Sequence, residues 1–345
     1  MIDIDTLVRE NIKNLKPYSS ARDEFKGIKD NMVFLDANEN PFSNGINRYP
    51  DPKQQAVKDN LALIKRVSTE NILLGNGSDE VIDLVFRAFC EPNQDNAILL
   101  PPTYGMYKVS ADINSVETVN VELDEEFQPR VDEILNVANE FTKLLFICSP
   151  NNPSGNSFSI ERIESLLKNF SGLVIIDEAY IDFSDQSTWL NRLEDFPNLI
   201  VCQTFSKAYG MAGIRLGVCY ASKRIIDILN KIKPPYNVNE LTQQKALDCL
   251  EDYNIVELQV SELKKNREWL IQELETLTII KKIYPTDANF LLVKVDDAKK
   301  RYNDLLNKGI VVRNRSNQAG CYNCLRFTVG TENENKKLIE VLKTL

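Results

Sequence analysis

The stretch QTFSKAYGMAGIRLG, residues 203–217, sets Lys207 between Thr204 and Ser206 and follows it eight positions later with Arg215. A lysine whose pKa is lowered by desolvation and neighbouring cations acts as a nucleophile, and arginine grips phosphate through paired hydrogen bonds. Read alone, the stretch is also a polar strand end running into a loop. Three other segments carry groups of the same kind. GNGSDEVIDL (75–84) is a glycine-rich turn entering a helix, where the amides of Gly77, Ser78 and Asp79 would meet an anion. An ordinary N-cap by Ser78 or Asp79 fits the same residues. Asp177 closes a run that is apolar on both faces, so its carboxylate needs a cationic partner, either a structural ion pair or a ligand. Tyr180 and Asn152, in DEAY and SPNNPSG, offer hydrogen bonds to the same crevice, although SPNNPSG is also rich in turn formers.

The pattern of strands is what would bring these groups together. Apolar runs at 71–74, 97–100, 144–148, 173–176 and 199–203 alternate with helical stretches such as 79–89 and 159–170. That alternation predicts an α/β fold with a largely parallel sheet. Each run passes directly into a polar cluster: GNGSDE, PPTYGMY, SPNNPSG, DEAY and TFSK. Ligands of open α/β sheets bind outside the carboxyl ends of the strands, so five clusters on one edge suggest a built site. The paired prolines of KIKPPYNVN (231–239) mark a hinge. Beyond it, a long charged amphipathic helix over about 253–277, strands at 289–295, 309–313 and 325–330, and a closing helix near 332–344 predict a smaller α/β domain.

Bulk properties narrow the chemistry further. A chain of 345 residues suggests two domains. A formal net charge of −9 argues against nucleic acid and other polyanions as partners. No apolar run approaches the ~20 residues of a membrane helix. No basic start precedes an apolar stretch, so no secretion signal is read and a cytoplasmic location is expected. The seven cysteines then stay reduced. There is no histidine, which removes Ser-His-Asp triads, Cys-His pairs and histidine-ligated metals. The lone C-x-x-C of Cys321 and Cys324 has no second pair, and no metal site is expected. Proton transfer then falls to a tuned lysine, carboxylate or tyrosine, or to a cofactor.

A lysine that forms a Schiff base, an aspartate facing a pyridinium nitrogen and a phosphate cup are together the requirements of pyridoxal 5'-phosphate. The markers KPYSSAR, LDANENP, NRYPDP, GNGSDE, PTYGMY, SPNNPSG, DEAY, FSKAYGMAGIRLG and LRFTVGT extend over nearly the whole chain. With them the chain resembles the fold-type I (class I/II) pyridoxal-phosphate aminotransferases, and within these the histidinol-phosphate group. The resemblance implies a large domain with a mostly parallel sheet flanked by helices, plus a smaller C-terminal α/β domain. The implied boundaries are an N-terminal arm over 1–35, packing with the small domain and the neighbouring subunit, a large domain over 36–235 and a small domain over 236–345.

By the same resemblance, Lys207 would hold the cofactor covalently and later move a proton at the substrate Cα. Asp177 would keep the pyridine nitrogen protonated, while Tyr180 and Asn152 would hydrogen-bond the ring hydroxyl oxygen. Tyr104 would stack on the ring. Gly77, Ser78, Asp79, Thr204, Ser206 and Arg215 would form the phosphate cup. Tyr49, in RYPDP, would reach the cofactor of the neighbouring subunit, which implies a homodimer with a shared active site.

For the substrate, Arg313 and Arg326 would bind carboxylate or phosphate, with Arg315 close enough to join them, and Asn152 would also contribute. Tyr18 and Asn38 would close over it. From strand alternation alone, Arg326 would face solvent. The implied reaction is reversible transamination of L-histidinol phosphate with 2-oxoglutarate, giving imidazole-acetol phosphate and L-glutamate, in histidine biosynthesis. A threonine-phosphate decarboxylase and an aromatic aminotransferase of the same superfamily are rival readings. A non-catalytic aminotransferase-like ligand-binding protein is a third, against which the acidic charge weighs.

Overall fold

The computed structural model describes residues 3–18 and 32–345. Residues 1–2 and 19–31 of the expected arm therefore lie outside the described residues. The larger sheet contains β1 (Ile72–Asn76), β2 (Asn96–Leu99), β3 (Glu117–Asn120), β4 (Thr142–Cys148), β5 (Leu173–Asp177), β6 (Leu199–Thr204) and β7 (Leu216–Ala221). Their order is β1-β7-β6-β5-β4-β2-β3. The pairs from β6 to β3 are parallel, whereas β7 runs antiparallel to both β6 and β1. All five strands expected for this sheet are present.

Two further strands complete the sheet. The residues of β7 are buried throughout, but its small-residue approach from Gly210 to Gly217 disguises it as loop. The β3 segment ETVN is an edge strand with no buried residue, so it carries no hydrophobic pattern to read.

Alternate residues of the buried strands enter two different cores. Leu173 and Ile175 of β5 pack with the helices Gly77–Phe89, Met106–Ile113 and Lys223–Ile232 and with the short N-terminal helix Ile4–Leu7. Val174 and Ile176 pack with the helices Gln55–Lys65, Ile160–Asn169 and Glu240–Glu251 on the opposite face. Each such side chain contributes roughly 1.5–3 kcal/mol through burial. This double covering makes the strands read as continuous apolar runs, and it fixes their carboxyl ends as one rigid edge.

The second sheet contains β8 (Ile280–Ile283), β9 (Phe290–Val295), β10 (Arg313–Asn314) and β11 (Cys324–Thr328), in the order β10-β11-β9-β8 with every pair antiparallel. Its core joins Leu291, Val293, Leu325 and Phe327 to the helices Tyr253–Glu275, Ala298–Asn307 and Glu332–Leu342. The last of these starts with a full capping box between Thr331 and Glu334.

The strand expected at 309–313 begins only at Arg313. Gly309, with φ +77°, turns the chain at the end of the preceding helix, and Ile310 N–H bonds back to Leu305 at 2.9 Å. Residues 310–312 therefore leave the helix before any ladder can form.

Phe290 and Leu292 belong to the same core as β5 and β6, so the two sheets share a seam. Arg267 spans it, donating from Nη1 to the carbonyls of Phe183 at 3.2 Å and Ala288 at 2.9 Å. Among the described residues no helix is long and apolar enough to cross a membrane.

Candidate active site

A cavity of about 140 Å³ lies at the carboxyl edge of the larger sheet, and each polar cluster named above reaches it. Ser78 and Asp79 come from the turn after β1, and Tyr104 from the segment after β2. Cys148 closes β4 and Asn152 follows it, while Asp177 closes β5 and Tyr180 follows it. Thr204, Ser206 and Lys207 leave β6, and Arg215 precedes β7.

The turn at Gly77 is not an ordinary capped helix start. The helix begins at Gly77, its N-cap Asn76 makes no side-chain cap, and Ser78 and Asp79 lie inside the first turn. Gly77 has φ +75°, and a Cβ there would sit 2.8 Å from Nη2 of Arg215. Glycine thus admits both the left-handed backbone and the guanidinium beside the helix N-terminus. Gly217 is tighter still, since its Cβ would lie 2.3 Å from the carbonyl carbon of Gly77. Arg215 Nη2 is 3.5 Å from Asp79 Oδ2, and Tyr104 donates to Asp79 Oδ1 at 3.0 Å. Across from them, Thr204 Oγ1 accepts from the Ser206 amide at 3.1 Å. Cation, hydroxyls and a helix N-terminus converge here, as an anion cup requires.

Asp177 is 3 % exposed and has no ion pair among the described residues. Tyr107 donates to its Oδ2 at 2.6 Å and the Ala179 amide to its Oδ1 at 3.0 Å. Burial pushes its pKa up, and these two hydrogen bonds oppose the rise. Lys207 opens onto the same cavity, with Nζ 5.7 Å from the Tyr180 ring centroid. Loss of water around the amine lowers its pKa, Arg326 and Arg215 add to the effect, and Asp177 and Asp79 oppose it. The Tyr180 phenol is pushed up, chiefly by burial, and its ring meets Phe290 of the second sheet edge-on at 5.1 Å. The arrangement offers an amine whose pKa is lowered, a buried carboxylate and an anion cup around one small space.

The second sheet contributes arginines. Arg313 and Arg326 are directly opposed in the β10–β11 ladder, and Arg315 continues the same strand face two residues on. Arg326 donates from Nη1 to Asn152 Oδ1 at 2.5 Å and lies 4.9 Å from the Phe290 ring centroid. Its solvent-facing alternative is therefore excluded. The Nε atoms of both Arg326 and Arg315 are buried without a hydrogen-bond partner. Burial, with repulsion from Arg315 and Arg313, lowers the Arg326 pKa to about 10.

Arg326 reaches the cavity only through Asn152, and Arg313 is exposed in β10 and does not line it. Tyr18, Asn38 and Tyr49 are not brought to it within the chain either. Tyr18 is 73 % exposed and borders a separate cleft with Lys58 and Lys233. Asn38 is exposed on a loop with φ 56°. Tyr49 stacks on Tyr236 at 4.5 Å, away from the cavity lining. Two residues at the site were not singled out from sequence. Cys148 ends β4 directly beside Asp177 in the ladder. Tyr107 stood in the quoted PTYGMY, but nothing in its spacing distinguishes a carboxylate partner from a core aromatic.

Comparison with known proteins agrees with this geometry. The family described as aminotransferase class I and II matches residues 33–342. The histidinol-phosphate aminotransferase of Christiangramia forsetii is 62 % identical over 343 residues, covering 99 % of this chain and 98 % of the relative. The crystal structure of the histidinol-phosphate aminotransferase from Clostridium acetobutylicum superposes with a TM-score of 0.80 at 27 % identity, covering 87 % of this chain and 90 % of that one. That of Sinorhizobium meliloti, solved in complex with pyridoxal-5'-phosphate, gives a TM-score of 0.78 at 23 % identity, covering 86 % and 83 %. The chain belongs to the class I and II aminotransferases, within their histidinol-phosphate aminotransferase group.

Proposed function

We infer that this chain is a pyridoxal-phosphate-dependent aminotransferase acting in histidine biosynthesis. Its reaction is the reversible transfer of the amino group of L-histidinol phosphate to 2-oxoglutarate, giving imidazole-acetol phosphate and L-glutamate. The observation that carries the reading is a buried carboxylate without an ion pair, Asp177, sharing one small cavity with the amine of Lys207. A buried charge of that kind suits a protonated pyridine nitrogen, and the Gly77–Arg215 cup, which a Cβ would fill, suits the phosphate. The donor set thus fits pyridoxal phosphate. When bound, that group supplies an aldehyde for the substrate amine and a ring that takes up electron density released at Cα.

The chain's own residues would divide the work as follows. Asp177 holds a proton on the ring nitrogen. Lys207, whose amine pKa is lowered by loss of water, would take the Cα proton and return it. Asn152 and Tyr180 orient the ring hydroxyl, Tyr104 covers the ring, and Gly77, Ser78, Asp79, Thr204, Ser206 and Arg215 grip the phosphate. Arg313 and Arg326, joined by Arg315, bind the phosphate of one substrate and a carboxylate of the other in turn. Asn152, Tyr18 and Asn38 complete the substrate site. Tyr49 serves the neighbouring subunit of a homodimer, so its position outside its own cavity is compatible with that role. The division into arm 1–35, large domain 36–235 and small domain 236–345, and a cytoplasmic location, belong to the same reading.

The test is direct. Protein loaded with cofactor is given histidinol phosphate and 2-oxoglutarate, and glutamate is measured. In parallel, carbon dioxide is measured from threonine phosphate. Glutamate from the first mixture is the expected result, and carbon dioxide without glutamate overturns the substrate assignment. Aromatic amino acids in the same assay distinguish the remaining rival.

A further inference from the structure

The carboxylate of Asp177 has one side-chain hydrogen-bond partner among the described residues, and it is a phenol. Tyr107 is 0 % exposed, and its Oη donates to Asp177 Oδ2 at 2.6 Å. Its ring is held on both sides, stacked on Phe146 of β4 at 4.8 Å and meeting Tyr104 edge-on at 5.5 Å. It starts from the helix Met106–Ile113, so a rigid element, rather than a loop, aims the hydroxyl. The Ala179 amide occupies the other oxygen, Oδ1. Two donors in different directions fix the plane of the carboxylate.

We propose that Tyr107 is a positioning residue for Asp177, whose O–H locks the carboxylate in the orientation that receives the ring nitrogen of the cofactor. The inference rests on the pyridoxal-phosphate reading above. A phenol has a particular advantage here. Burial and the adjacent Asp177 push the Tyr107 pKa well above its ordinary value, so the donor keeps its proton throughout the physiological range. An imidazole in that place would titrate, and this chain contains no histidine.

Tyr107→Phe keeps the stacked ring and removes only the O–H. The dissociation constant of pyridoxal phosphate, measured by equilibrium dialysis, should rise roughly 10- to 100-fold, the effect of one hydrogen bond to a charged group. In the saturated enzyme kcat should fall while KM for histidinol phosphate stays within about twofold, because the arginines are untouched. Tyr220→Phe is the control, since Tyr220 is equally buried and its hydroxyl has no partner. It should leave cofactor affinity unchanged. In an Asp177→Asn background, Tyr107→Phe should add less than a twofold further loss of affinity. Unchanged affinity in Tyr107→Phe, an equal loss in Tyr220→Phe, or full additivity with Asp177→Asn would overturn the proposal. Wild-type protein that binds no pyridoxal phosphate would instead overturn the functional reading beneath it.

Discussion

Arg313 and Arg326 stand opposite each other across the β10–β11 ladder, and neither has an ion pair among the described residues. Like charges in such register repel, and the buried Nε of Arg326 lacks even a neutral partner. An anion bridging the two relieves both penalties. Arg326→Ala should therefore raise KM for histidinol phosphate and for glutamate roughly 10- to 100-fold, the range for one charge-assisted hydrogen bond. Cofactor absorbance should remain, because Arg326 lies outside the phosphate cup. Initial rates over a substrate series, beside an absorbance spectrum, check both halves.

Lys207→Ala removes the only amine that lines the cavity among the described residues. We expect loss of the visible absorbance of the cofactor-loaded protein and of nearly all turnover. Tyr180→Phe should cost far less, roughly 1.5–3 kcal/mol in the activation barrier if its hydrogen bond is charge-assisted. Near-normal rates in Lys207→Ala would refute the assignment.

Lys58 provides a pH test of stability. It is 7 % exposed, and burial, followed by repulsion from Lys233, lowers its pKa from 10.5 to about 8, with Asp51 opposing. The unfolded chain thus binds the extra proton between about pH 8 and 10.5, so this group's penalty is full below pH 8 and fades as pH rises. At neutral pH the penalty is on the order of 3 kcal/mol. Denaturant melts of Lys58→Met should show higher stability at pH 7, with the gain over wild type shrinking toward pH 10.

Gly217→Ala tests the contact between β7 and the anion cup. Its Cβ would come within 2.3 Å of backbone atoms of Gly77 and Ser78, which no rotamer change relieves. We expect a destabilisation of about 1–3 kcal/mol and a weakened grip on the cofactor phosphate. Thermal unfolding with and without added cofactor separates the two effects, since a cup left intact would give the wild-type shift.

Legibility in the sequence followed burial. Strands covered on both faces, such as β4 and β5, were readable as apolar runs, and the polar cluster after each pointed to the edge where the cavity lies. The edge strand β3 was not, because ETVN buries no side chain. Lys207, Asp177 and Arg215 stood out because charged groups at the ends of buried strands are unusual and needed a reason. Tyr107 did not, because an aromatic residue on a buried helix face has an adequate reason already. The Arg326–Asn152 contact joins residues 174 positions apart across the seam, and no local pattern encodes such a meeting.

That seam separates two kinds of selection. Among the described residues, every cavity-lining residue lies at or before Arg215, whereas Arg313, Arg315 and Arg326 belong to the second sheet and its continuation. In the reading proposed above, the anion-binding arginines are thus written in a later stretch of the gene than Lys207 and Asp177, while Tyr18, Asn38 and Asn152 stay with the earlier one. On that reading, substitutions beyond residue 239 would redirect which anion is accepted while Lys207 and Asp177 are inherited intact, and a lineage would explore new substrates without first losing its catalyst.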